Sequence, residues 1–221
     1  SVHMINSGQE THIASREIDK IIAEYTETEL KDVVLESRVV DRDKFLIMHL
    51  PDYTLIYNHT IGRKLGPDLA WSYVKSGVDT DEPWRAKFGV FDPRATKWIY
   101  GDMLENKLGY LNQEVASQYG EQVECIAYTP IISGTETLSM NWFEINTIPG
   151  FVTTDMTCAH SFSQNGVTFE QEYSTLISEK NNYNTRFRVR DIYYVRYEFS
   201  MKFRFVSLNK MAFSSLRLDI S

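Results

Sequence analysis

Only two cysteines, Cys125 and Cys158, stand in 221 residues, and their spacing serves neither a metal site nor a redox pair. Both sit among small or apolar neighbours and read as buried free thiols, with a disulfide between them left open. No stretch has the run of apolar residues that a membrane helix needs, and the first residues lack a signal peptide's apolar core, so the sequence reads as soluble with no membrane partner. Positive charge is scarce: 23 Lys and Arg face 30 Asp and Glu, a net charge of −7. A general nucleic-acid clamp normally carries the opposite balance. Catalytic signatures are missing too. There is no Gly-rich phosphate loop, no Gly-x-Ser-x-Gly elbow and no His-Glu-x-x-His pair. His3, His12, His49, His59 and His160 are scattered without a second ligand at metal spacing. His49, inside an apolar run, reads as a satisfied core or edge histidine. No enzyme activity, cofactor or metal is expected.

What the chain has is aromatic surface. Tyr, Phe and Trp make up 13% of it, a composition suited to half-buried pleated sheet. Val2 to Ile5 reads as a strand entering an Asn6-Ser7-Gly8 turn, and the missing initiator Met points to a piece of a longer polypeptide. One helix is clear: Ile18, Ile21, Ile22 and Tyr25 recur at helical spacing behind Ser15 as N-cap. A second short helix is expected from Thr26, whose spacing to Glu29 is that of a capping box.

Strands follow, over Val34 to Val40, Lys44 to Leu50 and Tyr53 to Tyr57. The consecutive apolar residues Phe45-Leu46-Ile47-Met48 ask for cover on both faces. A longer loop through Gly62, Gly66 and Pro67 precedes Leu69 to Lys75, then Trp84 to Phe91, Trp98 to Gly101 and Leu108 to Leu111. Short strands at even intervals suggest propeller blades or a sandwich, although no sequence repeat is visible. The polar segment Asn112 to Gln122 marks a boundary. Beyond it strands lengthen: Val123 to Thr129, Leu138 to Ile148, Met156 to Phe162, Thr168 to Tyr173, Arg186 to Tyr197, Met201 to Leu208 and Ala212 to Ile220. Asn165-Gly166 predicts a tight type I′ hairpin. Seven strands in about a hundred residues suit an antiparallel sandwich. The expected fold is therefore all-β with one or two short helices. A partial propeller-like region over residues 1–121, with a short helix near 15–25, precedes a β-sandwich over residues 122–221.

Chemistry has few footholds. Asp79-Thr80-Asp81-Glu82 reads as a solvated loop, and Glu170 with Glu172 as one exposed strand face. Ser163 to Phe169 looks like the Asp-box hairpin of sialidase-like propellers, but it is a residue short, has Asn for Asp and occurs once. The arginines are more informative. Residues 181–205 hold Arg186, Arg188, Arg190, Arg196, Lys202 and Arg204 against Asp191 and Glu198, a local +4 in a chain whose remainder carries −11. On a strand, Arg186, Arg188 and Arg190 share one face, a basic stripe suited to phosphate or an acidic partner. The acidic remainder favours a protein contact over nucleic acid, so these three are the candidate partner-contact residues. The alternatives are a carbohydrate-binding module or glycosidase using Trp71, Trp84 and Trp98 as sugar platforms, and a nucleic-acid binder working through the basic strands.

Taken in order, the residues resemble the C-terminal half of the packaged-DNA stabilisation proteins, or tail accessory factors, of short-tailed tailspike-bearing phages. The likeness starts at Ser7-Gly8-Gln9 and runs through Ile18-Asp19-Lys20-Ile21-Ile22 with Tyr25-Thr26. It continues over Phe45-Leu46-Ile47-Met48-His49-Leu50-Pro51, Leu55-Ile56-Tyr57, Trp71 and Val74-Lys75-Ser76-Gly77. Tyr100-Gly101-Asp102, Gly109, Ser117-Gln118-Tyr119, Tyr128-Thr129-Pro130, Asn165-Gly166 and Lys202-Phe203-Arg204 complete it. The sequence departs from the family over Thr60 to Asp68 and Gly134 to Thr154. The resemblance implies the last blades of a propeller joined to a C-terminal β domain. It also implies several copies around the tail axis, below the portal and its head-to-tail adaptor. There they close the DNA exit channel, with DNA only as channel contents, and attach the tail needle and tailspikes. The setting would be the virion tail, assembled in the bacterial cytoplasm.

Overall fold

The computed structural model describes residues 1–40, 42–147, 156–178, 187–190, 193–208 and 212–220. It divides into two compact units, residues 1–76 with 80–111, and residues 112–221 with 77–79.

In the first unit β1 (His3–Asn6) and β2 (Gln9–His12) form a hairpin. Ser7 and Gly8 both take positive φ in its turn, the signature of type I′. Helix α1 (Arg16–Ala23) starts where the Ser15 hydroxyl accepts from the Ile18 amide at 3.4 Å. α2 (Glu27–Leu30) carries the complete Thr26–Glu29 capping box. Next, β3 (Val34–Val40), β4 (Asp43–His49) and β5 (Thr54–Asn58) pair antiparallel in sequence order, and β6 (Trp71–Val74) completes a four-stranded meander. Ile18 of α1 buries with Met48, Leu50 and Leu55, and Ile21, Ile22, Tyr25 and Trp71 pack around them. The helical stripe is thus the lid of the sheet, and burial of Ile47 beside Met48 covers β4 on both sides. A second, three-stranded meander follows: β7 (Ala86–Asp92), β8 (Lys97–Asp102) and β9 (Leu108–Tyr110).

The segment read as loop between β5 and β6 holds a third helix, α3 (His59–Leu65), followed by a 3₁₀ turn at Pro67–Leu69. Asn58 caps it, accepting from the Ile61 amide at 3.1 Å, and Gly66 ends it at φ +106. Gly62 is required where α3 crosses Tyr57, because a Cβ there would lie 2.2 Å from the phenol oxygen. Among the described residues there are three α-helices, one more than the one or two expected.

The second unit opens with a two-residue-strand hairpin, β10 (Ser117–Gln118) and β11 (Glu121–Gln122). The body consists of β12 (Glu124–Tyr128), β13 (Ile132–Thr147), β14 (Met156–Ser163), β15 (Tyr173–Ser178), β16 (Phe187–Val189), β17 (Tyr193–Val206) and β18 (Phe213–Ile220). β17 belongs to both layers. Its first half pairs with β13 from Tyr193 to Phe199, and its second half pairs with β14 from Ser200 and with β12 from Lys202. Tyr197 takes φ +65 just before the change of partners, beside a bulge in β13 between Ser133 and Thr137. Bulges and kinks of this kind let one strand turn a sandwich corner. β15 extends the layer beyond β14, while β16 and β18 flank β13 in the other. Phe199, Met201, Phe203 and Phe205 point inward at period two and meet Met140, Phe143, Ile145, Phe162 and Ile177 in one core.

Three expectations change here. The strand predicted over Arg186 to Tyr197 is divided between β16 and β17, and β17 runs on through the predicted gap before Met201. Thr168 to Tyr173 is not a strand; β15 begins at Tyr173. Asn165 lacks the positive φ of a type I′ turn. Its carboxamide oxygen instead accepts from the Val167 and Thr168 amides at 2.9 and 2.8 Å, an Asx-type turn in a longer loop.

Candidate functional site

The basic stripe starts from β16. Phe187 and Val189 face the core, so alternation turns Arg188 to the opposite face. Glu144 lies directly across in the β13 register and takes the Arg188 Nε–H at 2.9 Å. The guanidinium also stacks 3.9 Å over Trp142. Glu144 is buried, so Arg188 supplies the counter-charge that burial demands. Arg190, just past the strand, is exposed. Arg186 lies outside the described residues.

Two further cations of the basic segment are also engaged within the chain. Lys202 and Arg204 stand on the outer face of β17 and close on Glu172, with contacts of 2.8 Å from Lys202 and 2.6 to 2.9 Å from Arg204. Arg204 reaches Asp79 at 3.0 Å and Glu124 at 3.6 Å as well. Burial raises the Glu172 carboxyl, but hydrogen bonds from Lys202 and Arg204 outweigh it and hold the group below its ordinary value. Glu172 is therefore an ion-pair hub and not the exposed strand face expected. Of the acidic loop, Asp81 is solvated, while Asp79 is engaged by Arg204.

The two thiols are free, and their placement settles the open question about a disulfide. Cys125 of β12 and Cys158 of β14 both pair with Phe205, one on each side. Two inter-strand steps put their backbones about 9.6 Å apart, beyond the reach of a disulfide. Cys158 is buried, and burial pushes its thiol up to about 12. Cys125 is exposed, contrary to expectation.

One constellation in the first unit escaped sequence reading. Glu36 and Arg38, alternate residues of β3, form an ion pair with side chains 10% and 2% exposed. Arg38 is roofed by aromatics, its guanidinium 4.5 Å from the Tyr100 ring, 5.4 Å from Trp98 and 5.7 Å from Trp84. Glu36 Oε1 accepts from the amides of Phe88 and Gly89 at 2.8 and 3.3 Å. Those amides are free because β7 bulges there, with Phe88 at φ +60. His49, buried and stacked on Trp84, sets Nε2 3.4 Å from the same carboxylate oxygen and Nδ1 3.5 Å from the Thr54 hydroxyl. It is a core histidine as expected but not a fully satisfied one, since its buried Nε2 lies near Glu36 without making a hydrogen bond. The signal was available, since Glu and Arg two apart on a strand share a face, but which aromatics would close over them depends on β7 and β8.

These groups clamp one sheet to another, and the tryptophans proposed as sugar platforms are part of the packing. Trp84 and Trp98 cover Arg38, and Trp71 donates its indole N–H to the Ile13 carbonyl at 2.7 Å. No cluster of three His, Cys, Asp or Glu among the described residues suits a metal. No described helix is long and apolar enough to cross a membrane.

Comparison with known proteins gives this architecture its relatives. Residues 1–116 match the family model described as the β-propeller of bacteriophage P22 Gp10. The chain belongs to the P22 Gp10 family. Residues 124–221 match the companion model, the β-sandwich of P22 Gp10. The all-β reading, a propeller region followed by a sandwich, is thereby established, as is the family resemblance drawn from the sequence. The tail hub protein gp10 of Salmonella phage P22 is 26% identical over 220 residues, covering 100% of this chain and 45% of that protein. The chain thus spans about half the length of this Gp10 relative, corresponding to its C-terminal half.

Proposed function

We propose that this chain is part of a structural, non-enzymatic phage tail protein. In this reading it closes the DNA exit channel below the portal and head-to-tail adaptor, retains packaged DNA, and joins the tail needle and tailspikes. Several copies surround the tail axis in the virion, and assembly takes place in the host cytoplasm. The observation that carries the reading is the match to a tail hub protein across the whole chain, through propeller and sandwich in the same order.

The physics supports such a role. Holding pressurised DNA depends on a high barrier to unfolding or dissociation, and this calls for dense cores and broad subunit contacts. An acidic chain lets DNA slide on ejection, where a basic channel would hold it through many phosphate contacts. The Arg186, Arg188 and Arg190 stripe serves a protein partner in this account. Because Arg188 is held by Glu144 and Trp142, the outward contact falls first to Arg190.

The test is sizing of the protein that carries this chain, with and without purified portal–adaptor complex. A co-migrating assembly, weakened by Arg190→Glu, is expected. Failure to co-migrate would refute the docking role, and assembly indifferent to Arg190→Glu would refute the arginine contact.

A further inference from the structure

The first unit contains an open cavity of about 370 Å³ lined by Arg42, Lys44, His59, Thr60, Arg63 and Lys64. Four full positive charges converge there, in a chain with net charge −7. The local structure explains how. Arg42 closes the two-residue turn between β3 and β4, and Lys44 follows two positions on, on the same side of the hairpin. From α3, His59 and Arg63, and Thr60 and Lys64, stand at i and i+4 on neighbouring stripes. The Thr60 hydroxyl oxygen accepts the Lys44 amide at 3.3 Å and ties the helix to the strand. Asp43, out of phase on the strand, is not part of the lining. Among the described residues, no ion pair neutralises Arg42, Lys44, Arg63 or Lys64; Asp41 lies outside them.

Helix electrostatics explain only part of this cluster. Cations in the last turn of α3 suit the negative end of the helix, which explains Arg63 and Lys64. It leaves Lys44 unexplained, and also Arg42, an arginine held at φ +76 where glycine or asparagine sits without strain. It also leaves His59 Nδ1, a buried polar atom with no hydrogen-bond partner among the described residues.

We infer that this cavity is a binding site for the phosphate groups of a small polyanion, such as a diphosphate-bearing metabolite. A phosphate offers several oxygens to the two guanidinium forks, the two ammonium groups, the Thr60 O–H and His59, whereas a carboxylate offers two. The volume suits a di- or triphosphate group. Duplex DNA would need an extended track of cations instead of a concave cluster.

The test is isothermal titration of the 221-residue chain with pyrophosphate at low salt, with separate arms using a short DNA duplex and a Glu-rich peptide. Saturable one-to-one pyrophosphate binding is expected, with His59 ring resonances shifting on addition. Arg63→Gln should weaken it about tenfold. Arg42→Gly should weaken it comparably while keeping or raising the melting temperature, because glycine relieves the positive φ. The inference is overturned by an absence of saturable pyrophosphate binding, or by binding that neither substitution weakens. It is equally overturned if the duplex or the peptide binds the cavity more tightly than pyrophosphate does.

Discussion

Replacing Glu36 by alanine should strongly destabilise the first unit. The substitution strands Arg38, whose side chain is 2% exposed, without its counter-charge, and removes the acceptor of the Phe88 and Gly89 amides. Burial alone pushes the Arg38 guanidinium's pKa down, and Glu36 is the group that opposes that push. Breaking a buried pair by deleting one partner costs about 3–5 kcal/mol. With a urea m-value of about 2 kcal/mol/M, the unfolding midpoint should fall by about 2 M, read by tryptophan fluorescence. Three of the four tryptophans, Trp71, Trp84 and Trp98, lie in this unit, which weights the signal towards it. The informative companion is Arg38→Met in the same background. Removing the stranded charge should recover at least about 1 kcal/mol of the loss, a coupling that a double-mutant cycle isolates. A loss below about 1 kcal/mol in Glu36→Ala, or no recovery in the double variant, would refute the clamp.

Four further outcomes follow from the structure. Burial holds His49 below its ordinary pKa against the pull of Glu36, so the unfolded chain binds that proton first. The stability His49 contributes is complete above about pH 7 and is lost progressively as pH falls below about 6.5 towards the lower folded-state value; His49→Gln should flatten this slope in urea midpoints measured downward from pH 7. Maleimide should label Cys125 alone in the native chain and both thiols after denaturation, as counted by intact mass. Phe143→Ala removes a fully buried ring in edge contact with His160, Phe187 and Phe203, and should cost the second unit about 3–5 kcal/mol by calorimetry. Gly89→Ala sets a Cβ 2.6 Å from the Tyr100 ring and should lower stability by about 1–3 kcal/mol in the same assay.

Local signals in the sequence were read well where the chain decides its own structure. Val34 to Val40 is a strand to the residue, Ser15 caps α1, and Thr26 with Glu29 forms the capping box. The failures lie where distant residues decide. α3 carries two glycines near its middle and end, which argue against a helix until Tyr57 is known to fill the space beside Gly62. Nothing between Tyr197 and Met201 tells a reader that the strand continues into another layer, because the continuation depends on β13 on one side and β14 on the other. The basic stripe was visible, but its internal partner was not, since Glu144 lies 44 residues away and meets Arg188 only through the β13 register. Glu36 and Arg38 were similarly plain in the sequence, while their meaning rests on the bulge in β7.

In the proposed role this chain works by holding neighbours in place and not by making or breaking bonds. The decisive experiment takes DNA-filled phage heads that lack the protein carrying this chain and measures the fraction of genome protected from added nuclease. Adding the protein carrying this chain should raise protection to near completeness, and Glu36→Ala should lower the temperature at which protection is lost. Heads that stay leaky when saturated with bound, folded protein would contradict it.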